Sequence, residues 1–156
     1  MDAMVTFRER LSPAPWVFIA TALVLPATLL VFLPIAAEVG IAVAIGLYAA
    51  IVLILIVTTP TVEVTETELR AGRARIPRSL IGGATAHRDT EAGLERGQRL
   101  DTRAWLLIRG WISPVVRIEI VDENDPTPYW LVSTRRPEEL VRALGFEPEV
   151  AETPTA

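Results

Sequence analysis

Two apolar runs dominate the pattern of the chain. Trp16 to Leu33 and Val39 to Val57 hold no charged residue, and the break between them is Pro34-Ile35-Ala36-Ala37-Glu38. At a helical rise of about 1.5 Å per residue, each run reaches roughly 27–29 Å, close to the hydrocarbon thickness of a bilayer. Neither shows the polar stripe of a soluble amphipathic helix. The pattern predicts a transmembrane helical hairpin over residues 15–57, with spans at about 16–33 and 39–57. A cleaved signal peptide fits less well. The first run is long for an apolar signal region, no small-x-small cleavage site follows it, and a second run comes at once.

Details within the runs carry further expectations. Pro26 removes a backbone donor in mid-run and predicts a kink near Ala22. Tyr48 lies near mid-span, where its hydroxyl needs a partner, and Thr28 is the candidate at similar depth. Ala42, Gly46 and Ala50 recur at four-residue spacing. Such a stripe lets another helix approach closely. It is expected to pack on the chain's own first span, with homodimerisation as the sharper alternative.

After Thr58-Thr59-Pro60 the period changes to two. Val62, Val64 and Leu69 alternate with polar residues, which predicts strands broken by turns at Glu66-Thr67 and Ala71-Gly72. Arg73 to Ile76 reads as the next strand, stopped by Pro77. Leu80 to His87 reads as a fourth, with Gly82-Gly83 marking a bulge or bend. Asp89 or Thr90 could cap a short helix through Arg96, ended by Gly97. Asp101 caps a further turn leading into Trp105-Leu106-Leu107-Ile108. Val115 to Val121 is a strand, Asp122 to Pro128 a turn, and Tyr129 to Ser133 the returning strand. Pro137, Glu138 and Glu139 suit the first turn of a helix that Gly145 stops. The domains expected are an N-terminal segment over 1–14 with weak amphipathic character, the hairpin over 15–57, a small α+β domain of antiparallel strands with a C-terminal capping helix over 58–146, and a disordered tail over 147–156.

Charge adds orientation. Arg8 and Arg10 precede the first run, and Arg70, Arg73, Arg75 and Arg78 follow the second, whereas the connecting turn offers only Glu38. By the positive-inside rule both termini lie in the cytoplasm. All fifteen basic residues are Arg, beside abundant Ala, Val and Leu, which looks like a GC-rich bacterial genome and makes the bacterial plasma membrane the expected location. Trp16 sits where an interfacial aromatic belongs. The net charge of −4 hides an asymmetry: residues 67–117 hold ten Arg against five acids, and residues 118–156 three Arg against nine acids. Each Arg near an anionic leaflet adds about 1 kcal/mol of attraction. Arg70, Arg73, Arg75 and Arg78 are therefore candidates for membrane-surface contact, the alternative being an ordinary solvated surface.

Composition narrows the chemistry. The chain has no cysteine and one histidine, His87. Thiolate metal sites, disulfides and His-rich metal sites are excluded. His87 has no Ser or Cys nucleophile at a recognisable spacing, and reads as a strand-end histidine. Asp122, Glu123 and Asp125 lack the spacing of a calcium loop. No charged residue interrupts either run, which argues against transport, and no interleaved aromatic and basic stripe points to nucleic acid. One segment stands out as a candidate binding site. Tyr129 and Trp130 point to opposite faces of a strand, one core and one partly exposed. Ser133, Thr134, Arg135 and Arg136 follow at a helix entrance, where backbone amides favour anions. The competing structural reading has Trp130 filling the core, Ser or Thr capping the helix, and the arginines pairing with Glu138 or Glu139.

The residues also carry a resemblance. Phe7-Arg8-Glu9-Arg10, Val64-Thr65, Glu68-Leu69-Arg70, Ile76-Pro77 and the run Asp125-Pro126-Thr127-Pro128-Tyr129-Trp130-Leu131-Val132-Ser133-Thr134-Arg135-Arg136-Pro137-Glu138-Glu139-Leu140 resemble a family of small actinobacterial membrane proteins catalogued only as a domain of unknown function. That resemblance implies a two-span anchor and a cytoplasmic domain, and nothing about chemistry. The soluble part is also loosely similar to bacterial pleckstrin-homology-like domains, which implies a binding role; residues 88–111 depart from it. The function expected is a non-catalytic, membrane-anchored module that needs no cofactor and holds or regulates a protein partner at the cytoplasmic face. The alternatives are a domain binding anionic lipid headgroups and, remotely, an enzyme.

Overall fold

The computed structural model describes residues 4–148, which divide into two compact units. One is the apolar hairpin, residues 12–59. The other joins residues up to Leu11 to those from Pro60 onward.

The hairpin consists of α1 (Pro15–Thr21), α2 (Val24–Phe32) and α3 (Ala37–Val57). Residues 15–32 and 37–57 are each long and apolar enough to cross a membrane, and within an apolar 18-residue window of each only 6% and 11% is buried. A core helix of a soluble protein would be mostly buried; these two are mostly exposed. The first span breaks at Ala22-Leu23, with Pro26 in the next turn, as its missing N–H predicts. The break is satisfied locally. Leu25 N–H donates to the Ala22 carbonyl at 3.0 Å, while Ala22 N–H and the Thr21 hydroxyl both donate to Phe18 O.

Two expectations about this unit are corrected. Tyr48 donates to the Phe18 carbonyl at 3.4 Å and not to Thr28, sharing that acceptor with Ala22 N–H and the Thr21 hydroxyl. The helix seam is built from Gly40 and Ala44, the buried residues of α3. A Cβ on Gly40 would stand 2.7 Å from Phe32 Cβ, so only glycine admits this approach. Ala42, Gly46 and Ala50 are exposed, and nothing lies within 4 Å of a Cβ built on Gly46. The stripe faces away from the chain's own first span, since the two sets lie on different sides of one helix.

The second unit holds two four-stranded sheets. Sheet 1 has the order β1 (Val5–Arg10), β2 (Thr61–Thr65), β3 (Glu68–Ala71), β4 (Ala74–Pro77), all antiparallel. Sheet 2 has the order β5 (Ile81–His87), β7 (Val115–Ile120), β8 (Tyr129–Ser133), β6 (Trp105–Leu107). Its pairs are antiparallel except β6 with β8, which run parallel. The exception to the expected antiparallel arrangement arises because the chain from β6 crosses over before the β7–β8 hairpin returns beside it. Gly82 lies in a register shift of β5, the bulge expected there.

The N-terminal segment departs most from its expectation. Residues 5–10 are a strand of the domain and not a lead: Phe7, Glu9 and Leu11 are buried, and Arg10 pairs with Thr61. The apolar hairpin is thus inserted between two adjacent strands, and Leu11 N–H closes the gap on Pro60 O at 3.0 Å.

The inward faces of both sheets share one core. Phe7, Val62, Val64, Leu69 and Ile76 from sheet 1 meet Val116, Ile118, Trp130 and Val132 from sheet 2. Helix α5 (Pro137–Ala143) contributes Leu140 and Val141. Pro137 occupies its first turn, and Gly145 at φ 90° ends it. Phe146 N–H reaches Val141 O and Gly145 N–H reaches Arg142 O, the paired bonds of a Schellman motif. The outward face of sheet 2 has a second cover. Helix α4 (Asp89–Arg96), ended by Gly97 as expected, brings Ala92 against Val115, Tyr129 and Leu131. Its N-cap is Arg88 without a side-chain cap bond, so neither Asp89 nor Thr90 caps it. Of the expected tail, Glu147 and Pro148 lie outside any element, and residues 149–156 lie outside the described residues.

Candidate functional site

Strand β8 is buried at all five positions because sheet 2 is covered on both sides. This overturns the expectation that one of Tyr129 and Trp130 is partly exposed. They do point to opposite faces. Trp130 enters the shared core and packs on Trp105, with ring centroids 4.5 Å apart. Tyr129 lies under α4. Its hydroxyl accepts from Asp101 N–H at 2.8 Å and donates to Arg99 O at 3.3 Å. The Arg117 guanidinium stands 3.9 Å from the Tyr129 ring centroid and pairs with buried Glu95 at 3.1 Å. Each polar group there is matched, as burial demands.

Ser133 and Thr134 are fully buried. Ser133 Oγ accepts from Arg109 N–H at 3.0 Å. The Thr134 hydroxyl donates to Glu9 Oε2 and accepts from Arg136 N–H, at the lead-in to α5. Glu9 Oε1 takes Arg135 N–H at 3.0 Å, and the Arg135 guanidinium approaches it at 3.8 Å. The anion at this helix entrance is therefore the chain's own Glu9. Arg136 pairs with Glu139 at 3.0 Å, donates to Arg8 O at 2.8 Å and lies over the Phe7 ring. The structural reading accounts for Trp130 in the core and for the pairing of Arg136 with Glu139. Neither Ser133 nor Thr134 caps α5, whose N-cap is Arg136 without a side-chain cap bond, and Glu138 pairs instead with Arg88, at 2.6 Å. That bond to Arg88 holds the Glu138 carboxyl below its ordinary range, against the opposing effect of burial. Of the six proposed binding residues, only Arg135 and Arg136 present side chains to the surface, 41% and 44% exposed.

Sheet 1 contrasts with this. Its outward face carries a row across all four strands: Arg8 opposite Glu63, Glu63 opposite Arg70, Arg70 opposite Arg75. Arg8 and Glu63 approach to 3.6 Å. Arg73 occupies the β3–β4 turn, at the end of the sheet where Gly72 N–H donates to Thr61 O at 2.8 Å. Arg78 does not join this group. It lies at the opposite end, where its guanidinium donates to Thr65 O at 3.4 Å. The proposed four-arginine surface is thus a group of three, extended by Arg8 and Arg10 from β1. The alternation of Phe7, Glu9 and Leu11 with Arg8 and Arg10 was the signal for that strand, masked by a carboxylate on the inward side.

Elsewhere, His87 ends β5, and its Nε2 is buried with no hydrogen-bond partner among the described residues. Asp122 and Asp125 turn oxygens onto the N–H groups of Asn124 and Thr127, and so stiffen their own loop. No cluster of three or more potential ligands for a metal occurs among the described residues.

Fold and site together define a class: a two-sheet domain, capped by a C-terminal helix, into whose first strand pair an apolar helical hairpin is inserted. The sequence pattern of DUF3093, described as a protein of unknown function, matches residues 6–144. The chain belongs to that family. No curated protein and no solved structure matches it.

Proposed function

We propose that this protein is a membrane-anchored, non-catalytic interaction module, with both termini cytoplasmic and its domain presented at the inner face of a bacterial plasma membrane. The observation that carries this reading is the insertion of the hairpin between β1 and β2. Because Leu11 and Pro60 are hydrogen-bonded, a folded domain requires both ends of the hairpin on one side of the bilayer. Arg8 and Arg10 before it and the arginines after it then select the cytoplasmic side. A cleaved signal peptide is disfavoured by the same feature, since cleavage would strip Phe7, Glu9 and Leu11 from the core. Two sheets sharing one core under a C-terminal helix also favour a pleckstrin-homology-like fold, and with it binding over catalysis; fold by itself does not fix function.

The test is cross-linking in native membranes followed by mass spectrometry, beside alkaline carbonate extraction. The module reading expects a chain that resists extraction, and a protein partner or lipid cross-linked through residues 60–146. A chain released by carbonate overturns the anchor. A second reading, that the domain touches lipid directly, is favoured by the outward face of sheet 1.

A further inference from the structure

The β3–β4 hairpin breaks a rule of sheet pairing. Arg70 and Arg75 are direct cross-strand partners. Both point outward, because Leu69, Ala71 and Ile76 between them are buried. Like charges directly opposite are destabilising. A third arginine, Arg73, sits at the tip, in a two-residue turn that Gly72 opens at φ 62°. None of the three has a carboxylate within 4 Å among the described residues, and the nearest acid in the row, Glu63, is engaged by Arg8. Glu63, opposite Arg70 on β2, offsets part of that cost, but a like-charge pair kept exposed with no carboxylate in ion-pair reach points to a functional surface.

Position says what the surface meets. The tip lies at the end of sheet 1 where β1 stops and β2 starts: a Cβ on Gly72 would stand 3.6 Å from Pro60 Cβ. Only Ser12 to Ala14 separate Leu11 from α1, and only Thr58 and Thr59 separate α3 from Pro60. Three residues of extended chain span about 10 Å at most. If the hairpin spans a bilayer, this end of the sheet is tethered at the headgroup layer. The acids of the sheet's far turn, Glu66 and Glu68, belong to the other end. Arginine suits this location because its planar fork matches phosphate oxygens and is always charged.

We infer that Arg70, Arg73 and Arg75 form a docking site for the anionic phospholipid headgroups of the bilayer that holds the hairpin. The inference rests on the proposed anchoring. The tether keeps the site at high local headgroup concentration, so weak individual contacts suffice. Each arginine adds about a fivefold preference for an anionic over a zwitterionic surface.

The experiment uses the full chain in nanodiscs of phosphatidylcholine, with or without phosphatidylglycerol, and follows backbone hydrogen exchange over residues 68–77. Phosphatidylglycerol is expected to slow exchange there severalfold. Raising salt from about 0.15 M to about 1 M, which shortens the screening length from about 8 Å to about 3 Å, should abolish the difference. So should the triple change Arg70→Gln, Arg73→Gln and Arg75→Gln. Unchanged exchange over residues 115–120 shows that this variant folds; if it does not, Arg73→Gln alone, in the turn, replaces it. Equal exchange in both lipids overturns the proposal. So does protection that survives the substitutions. A photo-cross-linker at position 73 that captures an acidic protein and no lipid overturns the lipid assignment while leaving the module reading intact. A chain that fails to enter nanodiscs overturns the module reading itself.

Discussion

The two sheets are alike inside and opposite outside. Both alternate buried aliphatic residues on the shared face. On the other face, sheet 2 presents Val115, Tyr129 and Leu131 and is roofed by α4, whereas sheet 1 presents Arg8, Glu63, Arg70 and Arg75 to solvent. The roof turns Tyr129 and Leu131 from surface into core, while Trp130 and Val132 face the core shared with sheet 1. The unroofed sheet leaves arginines as the accessible chemistry. A tyrosine-tryptophan pair beside a helix entrance looks like a binding site only while its cover is unknown.

That contrast can be broken experimentally, and the largest effect belongs under the roof. Leu131→Ala, at a fully buried position, is expected to lower domain stability by about 2–5 kcal/mol in denaturant unfolding of the full chain. Glu9→Ala comes next. It leaves Arg135 N–H and the Thr134 hydroxyl unmatched near the core, for about 1–3 kcal/mol, and should raise proteolysis of the strand before the hairpin. Tyr129→Phe removes the bonds to Asp101 and Arg99, for about 1 kcal/mol, with faster amide exchange at Asp101 as the local sign.

Smaller effects sharpen the outer surfaces. Glu138→Gln breaks the partly exposed pair with Arg88, worth about 0.2–1 kcal/mol. Because the folded carboxyl titrates below its ordinary value of 4.5, the pair's contribution is complete above that pH and is lost as pH falls through the depressed value. The melting difference between wild type and E138Q should therefore be present at neutral pH and shrink in acid. Last, Arg75→Gln relieves the repulsion with Arg70 and should raise stability by about 0.2–1 kcal/mol in uncharged detergent. A loss there would mean that the Arg pair is structural and not kept for a ligand.

Legibility in the sequence followed the range of the interaction. The Val115–Ser133 strand pair, its turn, the Pro137 helix start and the Gly145 stop are local, and the structure agrees with them. So is the Pro26 break. Strand β1 was hidden because its partner lies some fifty residues on, and because Glu9 interrupts its apolar alternation. The cover on Tyr129 was hidden because α4 is short and polar, and contributes a single buried alanine to that cluster. The helix seam went to Gly40 and Ala44 although Ala42, Gly46 and Ala50 offer the same spacing; the register between two helices is a tertiary choice.

The inserted hairpin also sets an order of events during synthesis. Residues 5–10 leave the ribosome first and cannot be paired until residues 61–65 follow them. In a free chain, closing a loop of about fifty residues carries an entropy cost that grows as (3/2)RT ln n. Two inserted helices that pack on each other bring its ends back together beforehand. On the proposed anchoring, insertion into the bilayer is the step that brings β1 to β2, and a chain kept out of the bilayer is expected to leave the edge of β2 unpaired.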